Sequence, residues 1–480
     1  AEGGIDATDA QNNTRVGANA GDSFTGTDAN NNTLIGYDAG TAITVGDNNT
    51  AVGYAALDST TTGSNNTSIG TYTLGTNTTG ERNVALGYSA LNANTVAHDN
   101  VAVGYFALNS NTEGTYHTAV GKAALGSNTT ANNNTAVGYQ ALTANTTGDL
   151  NVAIGTDALS TNTVGDRAVA IGHNALKAQN PTSNTDTYNV AVGLNSQFAT
   201  TTGIQNTSIG GYSLAENTTA SNNTAVGYFA LKSNTTGHEN TGIGKNALTD
   251  NTTASNNTAI GFEALKLNTT GANNVAVGNY NLDSNTTGTG NTAIGYGVLQ
   301  ANTTANYNEA IGYNALLSNT TGTRNTAVGS FAGDALTTGS YNVAVGYLSL
   351  SACTTGTQNV AIGDNALNDN TGSYNTAVGQ ACLYENTTAS NNTAVGYTAL
   401  YANTTGTLNT AVGKGSLDAN TTGNYNTAVG VNALGANTTA EDNAAFGYGA
   451  LETNTTGTHN SAFGYGSLQV NSTGTDNTAV

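Results

Sequence analysis

Short runs of alternating small and β-branched residues recur along most of the chain, each followed by a polar stretch rich in Asn, Thr and Gly. In the copy NTAVGYQALTANTTGDL, residues 134–150, Ala136 separates Thr135 from Val137, and Gly138 follows. Side chains alternate between the two faces of a strand, so Thr135 and Val137 point one way while Ala136 and Gly138 point the other. The apolar positions do not recur at helical spacing. The pattern therefore predicts one short strand in each copy.

The copies follow one another at a nearly constant period. With the glycine after the strand as a marker, 27 copies are separated by 26 intervals, of which 23 are 17 residues long. The exceptions are intervals of 19, 21 and 16 residues. Such a period indicates a repeat architecture in which each copy forms one coil. We predict an all-β fold, a parallel β-solenoid of about 28 coils stacked at about 4.8 Å per coil, roughly 130 Å in length.

The predicted core comes from two apolar columns of the repeat. The residue before the marker glycine is Val, Ile, Leu or Phe in all 27 copies, and Leu stands four residues after the glycine in 23. We expect the Val/Ile column to line a dry core closed by the leucine, and the Ala/Gly face to pack against a neighbouring chain. In two adjacent copies the predicted structural core is Val137, Gly138, Leu142, Ile154, Gly155 and Leu159.

Polar residues also keep fixed places in the repeat. Asn precedes the marker glycine by four residues in all but two copies, where His117 and Ala168 replace it. Stacked coils place identical residues about 4.8 Å apart, so Asn and Thr side chains are expected to bond along the axis as ladders. The run Asn-Thr-Thr-Gly, as at 145–148, is typical of a turn. Its last residue is sometimes Ala, as at Ala131, which indicates a tight turn without a left-handed residue there.

The uninterrupted repeat predicts one elongated domain. Residues 1–35 form an irregular start, and residues 36–480 form a continuous solenoid with a loop insertion at 177–188, which carries the only proline, Pro181. Insertions into repeats map to loops on one face. The final copy stops at Val480, where its marker glycine would follow. This indicates either a section of a longer fibre protein or an end completed by a second molecule in a head-to-tail filament.

Composition and charge narrow the classes of partner and site. The chain has 10 Lys and Arg against 30 Asp and Glu, and a net charge of −20, which argues against nucleic acid and anionic membranes as partners. No apolar run is long enough to insert into a membrane. The histidines are scattered over different columns, and no catalytic or Asp-rich calcium pattern recurs. We expect no enzymatic activity, no cofactor, no metal, and no disulfide between Cys353 and Cys382.

Three features of the repeat suggest ligands as well as structure. Tyr commonly follows the marker glycine, and this stripe either packs at a half-exposed rim or stacks on sugars; the candidate glycan contacts are Tyr105, Tyr139 and Tyr228. The Asn-Thr-Thr and Asn-Asn-Thr triplets match the acceptor pattern of N-glycosylation, although ladder packing explains them equally well. Threonine ladders also resemble those of ice-binding solenoids, but adjacent threonines point to opposite faces, so only one regular column is expected.

The NVAVG and NTAIG cores, with a small residue between two β-branched ones and an invariant glycine, resemble the head repeats of YadA-type trimeric autotransporter adhesins. The chain looks still more like the NTAVGYxAL-NTTG repeats of bacterial surface proteins and phage-type tail-fibre proteins, and the similarity covers about residues 12–480. The adhesin heads have a shorter repeat, so the turn here is longer. The resemblance implies a left-handed parallel β-roll, three chains side by side, displayed outside the cell or on a virion.

The expected function follows from this resemblance. We expect a structural extracellular fibre or adhesin shaft, self-associating as a homotrimer, that projects a binding tip or itself contacts surface glycans or a host cell surface. One alternative is the subunit of a head-to-tail extracellular filament, either glycosylated or not. Another is an ice-binding or glycan-binding solenoid that acts through one flat ladder. The sequence leaves these alternatives open.

Overall fold

The computed structural model describes residues 9–25 and 27–480, and within those ranges every regular element is a β-strand. Residues 1–8, where the sequence shows no match to the repeat, lie outside the described residues. The chain divides into two compact units, Ala1–Asn240 and Thr241–Val480, which we name unit 1 and unit 2. Each unit is a solenoid in which one short strand per coil forms a single wall.

Unit 1 pairs its successive strands in parallel, coil upon coil. Its strands are β1 Thr14–Val16, β2 Thr33–Ile35, β3 Thr50–Val52, β4 Thr67–Ile69, β5 Val84–Leu86, β6 Val101–Val103, β7 Thr118–Val120, β8 Thr135–Val137, β9 Val152–Ile154, β10 Gly165–Asp166, β11 Val169–Ile171, β12 Thr185–Asp186, β13 Val190–Val192, β14 Thr207–Ile209 and β15 Thr224–Val226.

Unit 2 repeats the same parallel pairing. Its strands are β16 Thr241–Ile243, β17 Thr258–Ile260, β18 Val275–Val277, β19 Thr292–Tyr296, β20 Glu309–Tyr313, β21 Thr326–Val328, β22 Val343–Val345, β23 Val360–Ile362, β24 Thr376–Val378, β25 Thr393–Val395, β26 Thr410–Val412, β27 Thr427–Val429, β28 Ala444–Phe446, β29 Ser461–Phe463 and β30 Thr478–Ala479.

The strands stack in register, so equivalent residues of the repeat form straight columns. Between β8 and β9, for example, Ala136 pairs with Ala153 and Val137 with Ile154. The same one-to-one pairing persists through the neighbouring coils of both units. The prediction of a parallel β-solenoid with 17-residue spacing is therefore confirmed, with about 27 turns in the chain.

The core is lined by the middle residue of each strand, which corrects the sequence-based prediction. Ala136 is fully buried and packs with Ala141 and Leu142, whereas Ile154 is 38% exposed and Val137 is half-buried. The assignment of Val137 and Ile154 to a dry core, with Ala136 facing a neighbouring chain, is wrong. In an ordinary coil the middle alanine and the corner leucine fill the interior together, so the β-branched side chains face outward.

Of the other predicted core residues, Leu142 and its equivalent Leu159 are fully buried, as expected. Gly138 and Gly155 are half-buried and belong to the coil wall instead of the core. They lie directly over each other, because a Cβ added to Gly138 would be 2.6 Å from the Gly155 carbonyl oxygen. The φ of Gly138 is +137°, so both close approach and backbone conformation require glycine there.

Each coil turns through left-handed residues that are not glycine. In the coil after β8, Gln140 has φ = 54° and Leu142 has φ = 52°, while Asn133 before the strand has φ = 58°. The leucine therefore sits at a corner and not on a second strand. Gly148 does not have a positive φ, which confirms the tight turn that also admits alanine at Ala131. Left-handed conformations cost L-residues roughly 1–2 kcal/mol each, so other interactions in every coil must offset this cost.

Two buried asparagine ladders supply those interactions. In the first, the backbone N–H of Asn151 donates to Asn134 Oδ1 at 2.8 Å, and Asn134 Nδ2 donates to the Gly148 carbonyl at 2.8 Å. In the second, Asn145 Nδ2 donates to Asn128 Oδ1 at 3.1 Å and to the same Gly148 carbonyl at 2.9 Å. The predicted ladders are confirmed, and they join the strand to the turn within a coil as well as one coil to the next.

The insertion at 177–188 leaves the main wall in register. Its strand β12 pairs with β10, so Gly165 lies opposite Thr185 in a separate two-stranded parallel sheet. Pro181 is buried, and the three residues after it, 182–184, are exposed. Beyond the insertion β13 pairs directly with β11. The inserted residues thus widen one coil without displacing its neighbours.

Candidate functional site

The surface with the most distinctive chemistry is the outward side of the strand wall, formed by the first and third residues of every strand. We call it the outer sheet face; Thr135 and Val137 are its members in β8. Its β-branched residues are partly exposed throughout, reaching 44% at Ile311. Among the 28 copies of the strand, the only charged residue in these two columns is Glu309. A surface this apolar and regular is typical of an interface.

Other exposed columns accept charge readily. The column after the marker glycine contains Lys122, Lys245 and Lys414 among its tyrosines. The column five residues before the glycine, which we call the corner column, contains Arg82 and Arg324. The scarcity of charge on the outer sheet face is therefore a property of that face and does not simply follow from the low charge of the chain.

The tyrosine column forms stacks of rings along the coils. Nearly parallel pairs have ring centroids 5.2–5.6 Å apart, as in Tyr37–Tyr54, Tyr296–Tyr313 and Tyr448–Tyr465. These tyrosines remain between 45% and 83% exposed. Offset stacking of this kind stabilises neighbouring coils by about 0.5–1.5 kcal/mol for each pair. The column is thus a rim of self-packed rings that remains open to solvent.

The three candidate glycan contacts lie on this rim, and each already has a ring face covered. Tyr105 stacks on Tyr88 at 5.4 Å, and the Lys122 ammonium lies 5.8 Å from its ring centroid. Tyr139 meets the same ammonium at 5.7 Å. Tyr228 packs against the adjacent Phe229, with centroids 3.9 Å apart. Sugar binding at Tyr105, Tyr139 and Tyr228 stays a prediction, with fewer free ring faces than the sequence indicates.

The corner column carries an ion pair that joins two neighbouring coils of unit 1. Arg82 Nε lies 2.8 Å from Asp99 Oδ1, and His98 Nδ1 lies 2.7 Å from Asp99 Oδ2. The hydrogen bonds from Arg82 and His98 lower the pKa of Asp99 to about 2. All three side chains are partly exposed to solvent, so the ion pair contributes little to the stability of the fold.

The structure separates the two classes of glycosylation triplet. The first asparagine of Asn145-Thr146-Thr147 is fully buried, and its Nδ2 donates two hydrogen bonds inside the coil. The first asparagine of an Asn-Asn-Thr triplet lies instead on the exposed corner column, with φ between 57° and 62°. These exposed asparagines are Asn12, Asn31, Asn48, Asn65, Asn133, Asn222, Asn256 and Asn391. The two patterns are thus structurally distinct.

Clefts are shallow by comparison. One cleft on unit 2 has a volume of about 410 Å³, and its lining includes Asp418, Gly435 and Glu452. Burial raises the pKa of Asp418. Within residues 9–25 and 27–480, no three His, Cys, Asp or Glu side chains cluster as a metal site would require. Cys353 and Cys382 are buried and unpaired, and burial raises the pKa of Cys353 to about 11.

Comparison with known proteins adds no family: no family model matches the sequence, and no curated protein is detectably similar to it. The surface chemistry therefore has to be interpreted from the coil itself. The outer sheet face escaped the sequence analysis, although a signal for it was present. Thr135 and Val137 belong to columns that almost exclude charge, while the exposed columns on either side contain it.

Proposed function

We propose that this protein is a structural component of an extracellular fibre or adhesin shaft, in which three copies associate side by side through their outer sheet faces. The observation that carries the proposal is the nearly charge-free, partly exposed face formed by residues such as Thr135 and Val137. Display on a cell or virion surface is part of the proposal and rests on the resemblance of the NTAVG repeat to adhesin heads and tail fibres.

The size of this face supports association. Each unit has about 14 coils, so its outer sheet face extends over about 65 Å and presents roughly 650 Å². The largest apolar patch on a typical monomer is about 300–600 Å². Association would bury the exposed parts of Val, Ile and Thr side chains without placing a charge in the interface, apart from Glu309.

Other properties agree with a shaft. The net charge of −20 opposes binding to nucleic acid. The part of the chain that the structure describes contains no helix able to cross a membrane. Stacked coils with identical junctions give a stiff element whose stability is a sum of neighbouring contacts, which suits a spacer between a surface and a binding tip.

Sedimentation equilibrium and small-angle scattering of the full chain test the proposal. We expect the wild-type protein to sediment as a trimer, and the double variant Val137→Lys with Ile154→Lys to associate at least tenfold more weakly, because two desolvated charges would enter the interface. The matched control is Asn133→Lys with Leu150→Lys, which places the same charges on the exposed corner column of the same coils. A monomeric wild type, or equal weakening by both double variants, would exclude this interface.

A second candidate is binding to ice or another ordered lattice of water. The observation that favours it is that the Thr column and the Val/Ile column lie side by side on one regular face that is partly exposed, and do not line the core as the sequence predicted. The face would then have to be free in solution. Thermal hysteresis of a monomeric wild type, abolished by the Val137→Lys and Ile154→Lys pair, would establish this function; absence of hysteresis would remove it.

A further inference from the structure

One coil of unit 1 has polar residues at the positions that elsewhere hold its core. In the column four residues after the marker glycine, Gln197 lies between Leu176 and Leu214, and it is fully buried. Its side-chain amide nitrogen, Nε2, donates to the Val190 carbonyl at 2.9 Å and to the Asn206 carbonyl at 3.3 Å. These two acceptors fix the orientation of the side-chain amide.

This arrangement leaves the amide oxygen of Gln197 without a hydrogen-bond donor in the part of the chain that the structure describes. Among the described residues, no group donates a hydrogen bond to Gln197 Oε1, which is buried from solvent. A buried, unpaired carbonyl is strongly unfavourable compared with the same group in water. The leucine that other coils have at this position carries no such penalty and contributes apolar burial.

Three other copies also lack the leucine, but each of them compensates. They have Gly at that position and a large apolar residue three positions later: Gly21 with Phe24, Gly40 with Ile43, and Gly333 with Leu336. The coil of Gln197 has Thr200 at the compensating position, and Thr200 is small and polar. The copy that contains Gln197 is therefore the one copy with a large apolar side chain neither in the leucine column nor three positions later.

The surrounding core is polar as well. Ser208 replaces the alanine of strand β14, and its hydroxyl contacts that of Ser213 at 2.8 Å and that of Ser196. On the other side of the coil the insertion brings further buried polar side chains against the core, namely Gln179 and Thr187. Over these coils hydrogen bonds between side chains replace part of the hydrophobic contact that joins other coils, although Leu176, Ala191 and Leu214 remain buried there.

We propose that unit 1 opens first at the coil of Gln197, and that this opening exposes the insertion at 177–188 to proteolytic cleavage. In a solenoid each coil contacts only its neighbours, so the junction with the least favourable contacts opens most often. The exposed residues 182–184 lie one coil away from this junction. The polar core thus sets where the solenoid opens, and the insertion beside it is where cleavage follows.

Hydrogen exchange followed by mass spectrometry, on the full chain in its native assembly, tests the proposal. In the wild type we expect peptides covering 190–206 to exchange at least tenfold faster than those covering 118–154, and a broad-specificity protease to cleave first within 177–188. Gln197→Leu should slow both processes by about tenfold or more, because it removes the unpaired carbonyl. Gln140→Leu, the same chemical change at a half-buried surface position, should slow neither.

The reciprocal variant Leu159→Gln makes the outcome decisive. It places an unpaired amide in another coil of the same column and should create a second fast-exchanging segment around 152–168. Equal exchange of 190–206 and 118–154 in the wild type would overturn the proposal. Unchanged exchange and cleavage in Gln197→Leu would overturn it as well.

Discussion

Leu336 fills, from three positions further along the chain, the space that Gly333 leaves in the leucine column. A Cβ added to Gly333 would lie 3.1 Å from Leu336 Cδ1 and 3.2 Å from Leu316 Cδ2. This arrangement interrupts the second asparagine ladder, because Leu336 occupies the position at which other coils have the ladder asparagine. Asn319 Oδ1, in the coil before, is consequently buried without a hydrogen-bond partner among the described residues.

This relationship predicts a compensated pair of substitutions. Gly333→Leu alone should destabilise its coil by about 1–3 kcal/mol through overpacking. Leu336→Asn alone should cost about 2–5 kcal/mol through a lost core side chain. The double variant restores the common Leu-and-Asn arrangement and gives Asn319 Oδ1 a donor, so it should approach wild-type stability. Hydrogen exchange gives the local opening free energy of the wild type and the three variants. If the losses of the two single variants add in the double variant, Leu336 does not compensate for Gly333.

Because Ala136 points into the core, a bulky substitution there should destabilise the coil itself. Ala136→Leu should destabilise the coil by about 1–3 kcal/mol or more, since the side chain has only the space beside Leu142 to enter. Tyr139→Ala should cost less than about 1.5 kcal/mol, because Tyr139 is 45% exposed. Thermal unfolding at concentrations too low for association separates this effect from assembly. Equal stability of the two variants would mean that the interior has more free volume than described.

His117 predicts a pH dependence within one coil. It replaces an asparagine of the first ladder and is 1% exposed; Nε2 lies 2.6 Å from the Ala131 carbonyl, and Nδ1 accepts the backbone N–H of Asn134 at 3.2 Å. The carbonyl requires Nε2 to carry the proton, and the N–H requires Nδ1 to be bare, so the ring is held neutral. Burial lowers the pKa of His117 below its ordinary 6.5.

The sign follows from the direction of this shift. The unfolded chain binds a proton at His117 near pH 6.5, and the folded chain does so only at lower pH. The contribution of His117 to the free energy of unfolding is therefore fully present above pH 6.5. Below that pH the free energy of unfolding falls by up to about 1.4 kcal/mol per pH unit, until the lowered pKa of the folded chain is reached. Comparing wild type with His117→Asn between pH 4 and 8, about the span in which histidine titrates, isolates the effect. Parallel stability curves would show that the pKa of His117 is the same in the folded and the unfolded chain, contrary to the prediction.

The two classes of glycosylation triplet should behave differently in a glycosylating host. We expect N-glycans on Asn133 and its equivalents in the corner column, which are exposed, and none on Asn145 in the folded protein, because its Nδ2 is used twice inside the coil. Mass spectrometry after enzymatic deglycosylation in heavy-oxygen water identifies the modified asparagines. Asn133→Gln should remove its own site only. A glycan on Asn145 would contradict the ladder geometry.

The architecture could be predicted because period and alternation depend on residues that recur in every coil. What alternation could not decide was which face of the strand turns inward, since the pattern at Thr135, Ala136 and Val137 is symmetric in this respect. The answer depends on the narrow space opposite Leu142, which is a property of the closed coil. The core prediction failed for Val137 and Ile154 for that reason, and the outer sheet face was missed with it.

The left-handed corners were equally hidden. A leucine at φ = 52°, as at Leu142, contradicts local preference and persists because the ladders around Asn134 and Asn145 fix the backbone on both sides. The tyrosine column, by contrast, was found from the sequence, because Tyr105 and Tyr139 occupy a fixed place in the repeat. The stacking of Tyr105 on Tyr88, and the position of Lys122 over both Tyr105 and Tyr139, are visible only in the structure.

The register between coils also bears on how such a chain changes length over evolutionary time. Every ordinary coil offers the next one the same set of donors and acceptors, as Asn134 does to Asn151. Unequal recombination between repeats would thus add or delete a whole coil and leave chemically equivalent junctions behind, altering a unit by about 4.8 Å per event. Compensating partners such as Gly333 and Leu336 lie within a single repeat and would be copied together. The length of the solenoid would then be inherited as the number of its coils.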